Sequence, residues 1–152
     1  MRRIKVEVAR WVLDAFRREA KRMFPKEAAA ILIGQSFGDL YVIDDIWIPE
    51  DIESHVTEDC VYWQRHWDVD AYYQAEDEGE IVLGRIHSHP FRFVQCGGEF
   101  AGCAEPAPSE GDWQYGWDGV YGICVVAEQE DGSLRTRTRF FGPAIAAETK
   151  VA

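Results

Sequence analysis

No apolar run in the chain approaches the roughly 18 residues that a membrane-spanning helix needs, so no membrane span and no membrane partner is expected. The opening Met1-Arg2-Arg3-Ile4-Lys5 is basic, but Glu7 and Arg10 interrupt what would be the apolar core of a signal peptide, and a cytoplasmic location is expected. Positive charge is scarce as well. Sixteen Lys and Arg face 27 Asp and Glu, a net charge of −11 that repels phosphate backbones and makes nucleic acid an unexpected partner. Internal repeats and low-complexity tracts are absent. What remains is 152 residues, 47% apolar and 13% aromatic, enough to bury a core as a single domain spanning 1–152.

Cysteine is sparse, with Cys60, Cys96, Cys103 and Cys124 in a chain without secretory features, which argues against a disulfide scaffold. Cys124, inside the apolar run Tyr121–Ala127, reads as a small buried hydrophobe, and Cys60 beside Val61 reads the same way. Cys96 and Cys103 stand in a glycine-rich loop. They fit a second metal site, a redox-dependent bridge, or no function.

Apolar residues at 8, 11, 12, 15, 16, 20 and 23 have helical spacing, with Arg10, Arg17, Arg18, Lys21 and Arg22 mainly on the opposite, solvated face, and Pro25 stops the helix. Glu27-Ala-Ala-Ala-Ile-Leu-Ile-Gly34 reads as a buried strand. A hairpin turn at 35–39 leads to its partner at 41–48, which Pro49 closes. Residues 67–78 are helix-compatible and end at Gly79. Residues 81–86 form a strand that runs directly into His87, and strands are expected near 120–127 and 134–141. Helices and strands mixed around one sheet make the class α/β.

His87-Ser88-His89 ends that strand. Residues i and i+2 of a strand point to the same side, so both imidazoles face one point, an arrangement suited to zinc. Two surface histidines are the alternative reading of the spacing. A catalytic zinc needs a third protein ligand. Ser109-Glu110-Gly111-Asp112 offers two carboxylates, although Ser-x-x-Asp is also an ordinary helix-capping pattern.

Taken together, Glu27, then His87-Ser88-His89-Pro90, then Ser109-x-x-Asp112 resembles the motif of the JAMM (JAB/MPN-plus) metalloproteases in their small stand-alone prokaryotic form. Pro25-Lys-Glu27 running into an apolar strand, and Gly84 three residues before His87, are similar to the same family. The resemblance implies a cytidine-deaminase-like JAB/MPN domain with a central mixed sheet flanked by helices. It implies one zinc per chain, held by His87, His89 and Asp112, with Glu27 as general base and Ser109 at the oxyanion. The activity it implies is deubiquitinase-like: hydrolysis of the bond joining a ubiquitin-like or sulfur-carrier-like protein to a conjugate or precursor. The substrate and its conjugation enzymes are the implied partners. The alternative is a non-catalytic MPN-like scaffold, which the intact motif argues against. A deaminase of related fold is disfavoured because no Pro-Cys-x-x-Cys occurs.

Residues 90–108 make the spacer between the second histidine and Ser109 longer than the family's usual one. This stretch is expected to be an extended active-site loop without regular structure. It either clamps a substrate tail through Phe91, Phe93 and Phe100, or covers the zinc with Glu99 or Glu105 in the place of water.

Overall fold

Alternation of buried and exposed positions in the first residues makes Lys5–Val8 a strand, β1, and the helical spacing that follows makes α1, Arg10–Met23. The computed structural model describes residues 3–100, 104–109, 119–142 and 145–152. Helix α1 buries Val12, Leu13, Phe16, Ala20 and Met23, the expected stripe turned slightly at its start, where Leu13 is inside and Trp11 is 51% exposed. The apolar run after Pro25 becomes β2, Ala29–Phe37, and it pairs antiparallel with β3, Leu40–Trp47. The turn between them is tighter than expected, only Gly38 and Asp39, with Gly38 at φ +64.

A single helical turn, Ile52–Ser54, and an isolated bridge between Val56 and Val61 order the acidic stretch that follows. Helix α2 is Arg65–Asp77, with Trp67, Ala71 and Ala75 buried. Strand β4, Ile81–Phe91, carries the histidine motif inside it, and a short helix α3, Phe93–Cys96, follows. The expected irregular loop therefore begins as strand and helix. Strands β5, Val120–Glu128, and β6, Leu134–Gly142, complete the expected set. Two further strands, β7, Ile145–Ala146, and β8, Glu148–Val151, have no apolar alternation to announce them.

All eight strands join one mixed sheet in the order β7-β6-β5-β4-β2-β3-β1-β8. Strand β1 is parallel to β3 and β8, β4 is parallel to β5, and the remaining pairs are antiparallel. Helix α1 packs on β3 and β5, on the face that carries Cys124. Helix α2 packs on β2 and β4 from the other face, where its Asp68 meets Arg85 at 3.1 Å. Cys124 is fully buried as expected. No helix among the described residues is long and apolar enough to cross a membrane.

The centre of the sheet is drawn together at Gly84. A Cβ there would lie 1.8 Å from the carbonyl oxygen of Val120, so only glycine lets β4 and β5 meet in this register. Strand β2 pairs with β4 only as far as His87, whereas β5 continues beside β4 to Phe91. Pro90 thus falls where β4 has a strand partner on one side alone, a position that tolerates its missing N–H.

Two substitutions test this framework by urea unfolding. Gly84→Ala is expected to lose about 1–3 kcal/mol through overpacking. Ser88→Ala is expected to lose a similar amount, because the Ser88 Oγ accepts the Ala28 N–H at 2.7 Å in a fully buried position. Wild-type midpoints in both variants would show that neither contact supports the sheet.

Candidate metal centre and active-site cavity

Strand alternation along β4 puts Arg85, His87, His89 and Phe91 on one face and Ile86 and Ser88 on the other. His87 and His89 converge, with Nε2 atoms 2.8 Å apart and ring centroids 4.7 Å apart. The ring of Tyr121, from β5, stands edge-on to His87 at 5.4 Å. Glu27 approaches from the segment before β2. Its backbone N–H donates to the Thr57 carbonyl at 2.9 Å, and Ser88 holds Ala28 next to it. The Glu27 carboxylate is 5% exposed, and its Oε1 lies 3.9 Å from His87 Nε2. One ligand atom from each of Glu27, His87 and His89 falls within 4.8 Å of the other two. Two imidazole nitrogens gathered at one point are donors that zinc accepts, and the Glu27 carboxylate beside them stands where it would face a water on that metal, so these residues fit the metal that the motif implies.

The cluster lines a cavity of about 340 Å³. That size suits a small ligand or the end of a chain. Val61, Trp63, Pro90 and Phe91 supply apolar wall, and Glu58, Asp59, Cys60, Ser109 and Tyr121 supply polar groups. Arg85 also lines it, with its guanidinium 3.9 Å over the Trp63 ring and paired with Asp68. Burial pulls the Arg85 pKa down against the upward pull of Asp68. Cys60 is half-buried in this wall and not part of the core, as its neighbour Val61 had suggested. Desolvation, then the nearby Glu27 and Asp59 charges, push its thiol pKa above the ordinary value.

The structure therefore brings together Glu27, His87, His89, Ser109 and Phe91 around one cavity. Phe93 and Phe100 are not on its described wall. Phe100 packs instead with Phe91 and Cys96 against Ala104, Val125 and Ala127. Glu105 turns away to β6, where it pairs with Arg137 at 3.3 Å, and Glu99 is exposed. Cys96 is disulfide-bonded, whereas Cys60 and Cys124 are free thiols, so the second-metal reading of Cys96 falls. Asp112, its competitor Glu110, and Cys103 lie outside the described residues. Trp63, Tyr121 and Cys60 were missed as cavity residues. The signal for Tyr121 is the parallel register that sets it beside Arg85, and no sequence pattern announces that pairing.

The raised Cys60 pKa leaves little thiolate at neutral pH, because a thiol ionises only as pH nears its pKa. Alkylation of Cys60 is expected to lag behind an ordinary thiol at pH 8 and to accelerate in Glu27→Gln, which removes one of the charges that oppose the thiolate. Peptide mapping by mass spectrometry reads the rate. An unchanged rate in Glu27→Gln would separate Cys60 from the Glu27 field.

Residues 10–92 match a family described as prokaryotic homologs of the JAB domain. No curated protein matches the chain. Solved structures share the fold at low identity. A protein from Desulfitobacterium hafniense is 16% identical with a TM-score of 0.64, over 97% of this chain and 92% of that one. A JAB1/MPN domain protein from Archaeoglobus fulgidus is 18% identical with a TM-score of 0.57, over 97% and 98%. A protein from Salinibacter ruber is 18% identical with a TM-score of 0.58, over 96% and 90%. With the segment from α1 through β4 matched by the family and nearly its whole length matched by the fold, the chain belongs to the prokaryotic JAB-domain family.

Proposed function

We propose that the chain is a zinc-dependent peptidase or isopeptidase that releases a ubiquitin-like or sulfur-carrier-like protein from a conjugate or precursor. The observation that carries this reading is the buried Glu27 carboxylate facing two converging imidazoles on the wall of a cavity. A structural domain gains nothing from leaving three titratable groups together in a largely buried cluster, since desolvation opposes their charged forms. The reading assigns the metal to His87, His89 and Asp112, and a zinc ion bound there supplies Lewis acidity for an amide carbonyl and for water.

The chain's own residues do the rest. Glu27 takes one proton of the attacking water at its carboxylate as the water oxygen bonds to the amide carbon. It then delivers that proton to the leaving nitrogen as the C–N bond breaks, giving an amine and a carboxylic acid that passes its remaining proton to the amine, leaving carboxylate and ammonium. Burial supports this role by keeping bulk water from competing for the proton. Ser109, on the cavity wall, offers a hydroxyl donor to the oxygen that gains charge during attack. Val61, Trp63 and Phe91 give an extended chain end an apolar channel, and a tail threaded into the cavity leaves the folded body of the substrate outside.

Fusions of ubiquitin-like and sulfur-carrier proteins to a reporter through a C-terminal amide test the proposal, with zinc measured in parallel. Wild type is expected to bind one zinc and cleave. Glu27→Gln is expected to keep the zinc and lose about 10²–10⁴-fold in kcat. His87→Ala and Asp112→Ala are expected to lose both metal and turnover. A zinc-loaded wild type that cleaves none of the fusions would hand the site to the scaffold reading. Full activity in Glu27→Gln would exclude it as the base.

A further inference from the structure

The charge of this acidic chain reverses along one strand. On β6, Arg135, Arg137 and Arg139 alternate with partly buried residues, so all three project from one face. That face is the one that bears the histidines. Across the sheet, Phe91 is in register with Ala127 and then Arg135, His89 with Val125 and then Arg137, and His87 with Ile123 and then Arg139. Each arginine thus stands in the row of a motif residue, two strand spacings or about 10 Å away.

The outer edge of β6 is open beside this ladder. Among the described residues β6 pairs outward only at Phe141 and Gly142, with β7, which leaves residues 134–139 without a strand on that side. The side chains of Arg137 and Arg139 are 51% and 48% exposed. Between them sits one carboxylate, Glu105, at 3.3 Å from Arg137 and 3.7 Å from Arg139. Arg135 lies over the Phe100 ring at 5.0 Å. Two of the three guanidinium groups share this one acid, and that acid belongs to the segment leading to Ser109.

We propose that the edge of β6, with Arg135, Arg137 and Arg139, docks an acidic, extended segment of the protein substrate as an added strand. The proposal rests on reading the cavity as a peptidase site. An added strand gains backbone hydrogen bonds from the open edge, and carboxylates at every second residue repeat at the spacing of the arginines. Glu105 displays the contact that such a carboxylate makes and competes for it. A net charge of −11 sets the surface as a whole against nucleic acid. Charged residues on an edge strand also deter aggregation. That role alone gives no affinity for a peptide.

Fluorescence anisotropy with a short labelled peptide of alternating glutamate and threonine decides the matter. Wild type is expected to bind it, more weakly as salt rises, and the combined Arg135→Gln, Arg137→Gln, Arg139→Gln variant about tenfold more weakly, with its fold checked by circular dichroism. Glu105→Gln is expected to bind more tightly than wild type, a readout that stands even where the triple variant does not fold. Glu27→Gln is expected to bind as wild type does, since it acts on turnover. Equal binding by wild type and the folded triple variant, unchanged binding in Glu105→Gln, or tighter binding of a single-stranded RNA of the same charge would each overturn the proposal. Peptide binding by a chain that cleaves none of the fusions would sink the peptidase reading and support the strip as a peptide-binding edge.

Discussion

Ser88 and Ala28 exchange two hydrogen bonds, the Ala28 N–H donating to Ser88 Oγ and the Ser88 N–H donating to the Ala28 carbonyl, at 2.7 and 2.9 Å. Both residues are fully buried, so each bond is made where an unmet partner costs most. The pair ties the chain before β2 to β4 just where regular pairing between the two strands ends. Glu27 is held one residue from this tie, and His87 and His89 flank it. The serine between the histidines points away from the cavity and works from behind it. The distance from Glu27 to His87 is a consequence of a bond made on the other face of the sheet.

The same economy runs through the strand pairing. Gly84 lets β4 and β5 close up, and their parallel register then carries Tyr121 beside Arg85 and aligns the histidines with the buried residues of β5. Where β2 stops, β4 and β5 run on together, and the gap beside them becomes the cavity. Sites in mixed α/β sheets commonly form at such an end, where strands diverge and leave space between connections. Electrostatics divide the surroundings. The cavity wall carries Glu58 and Asp59, while β6, two strands across the sheet from β4, carries three arginines.

Sequence reasoning reached the local decisions, which depend on neighbours along the chain. The helical stripe of α1, the apolar β2, the two histidines on one side of a strand, and the stop at Pro25 all follow from period, propensity and sterics. So does the class of the fold, since helices and strands interleave around one sheet. Other readings turned on packing. Phe100 was offered as part of a clamp on a substrate tail and Glu105 as one of two covers for the zinc, because their segment joins two motif residues; in the structure Phe100 packs on β5 and Glu105 pairs with β6. Cys60 looked like core from its neighbour and lies on the cavity wall.

What the amino-acid sequence determined by itself was the chemistry on offer: a carboxylate, two imidazoles and a serine in a motif, with the strand and helix types that carry them. The tertiary structure alone decided their company. That Tyr121 meets His87, that Trp63 stacks on Arg85, and that β6 aligns its arginines with the histidine rows all depend on registers between strands distant in the chain. A register is the sum of many side-chain and backbone contacts made at once, and a one-residue slip would turn each side chain to the opposite face. The C-terminal β8 makes the point most simply. Its exposed Glu148–Val151 has no strand pattern of its own, and it becomes a strand because β1 presents an edge for it to complete.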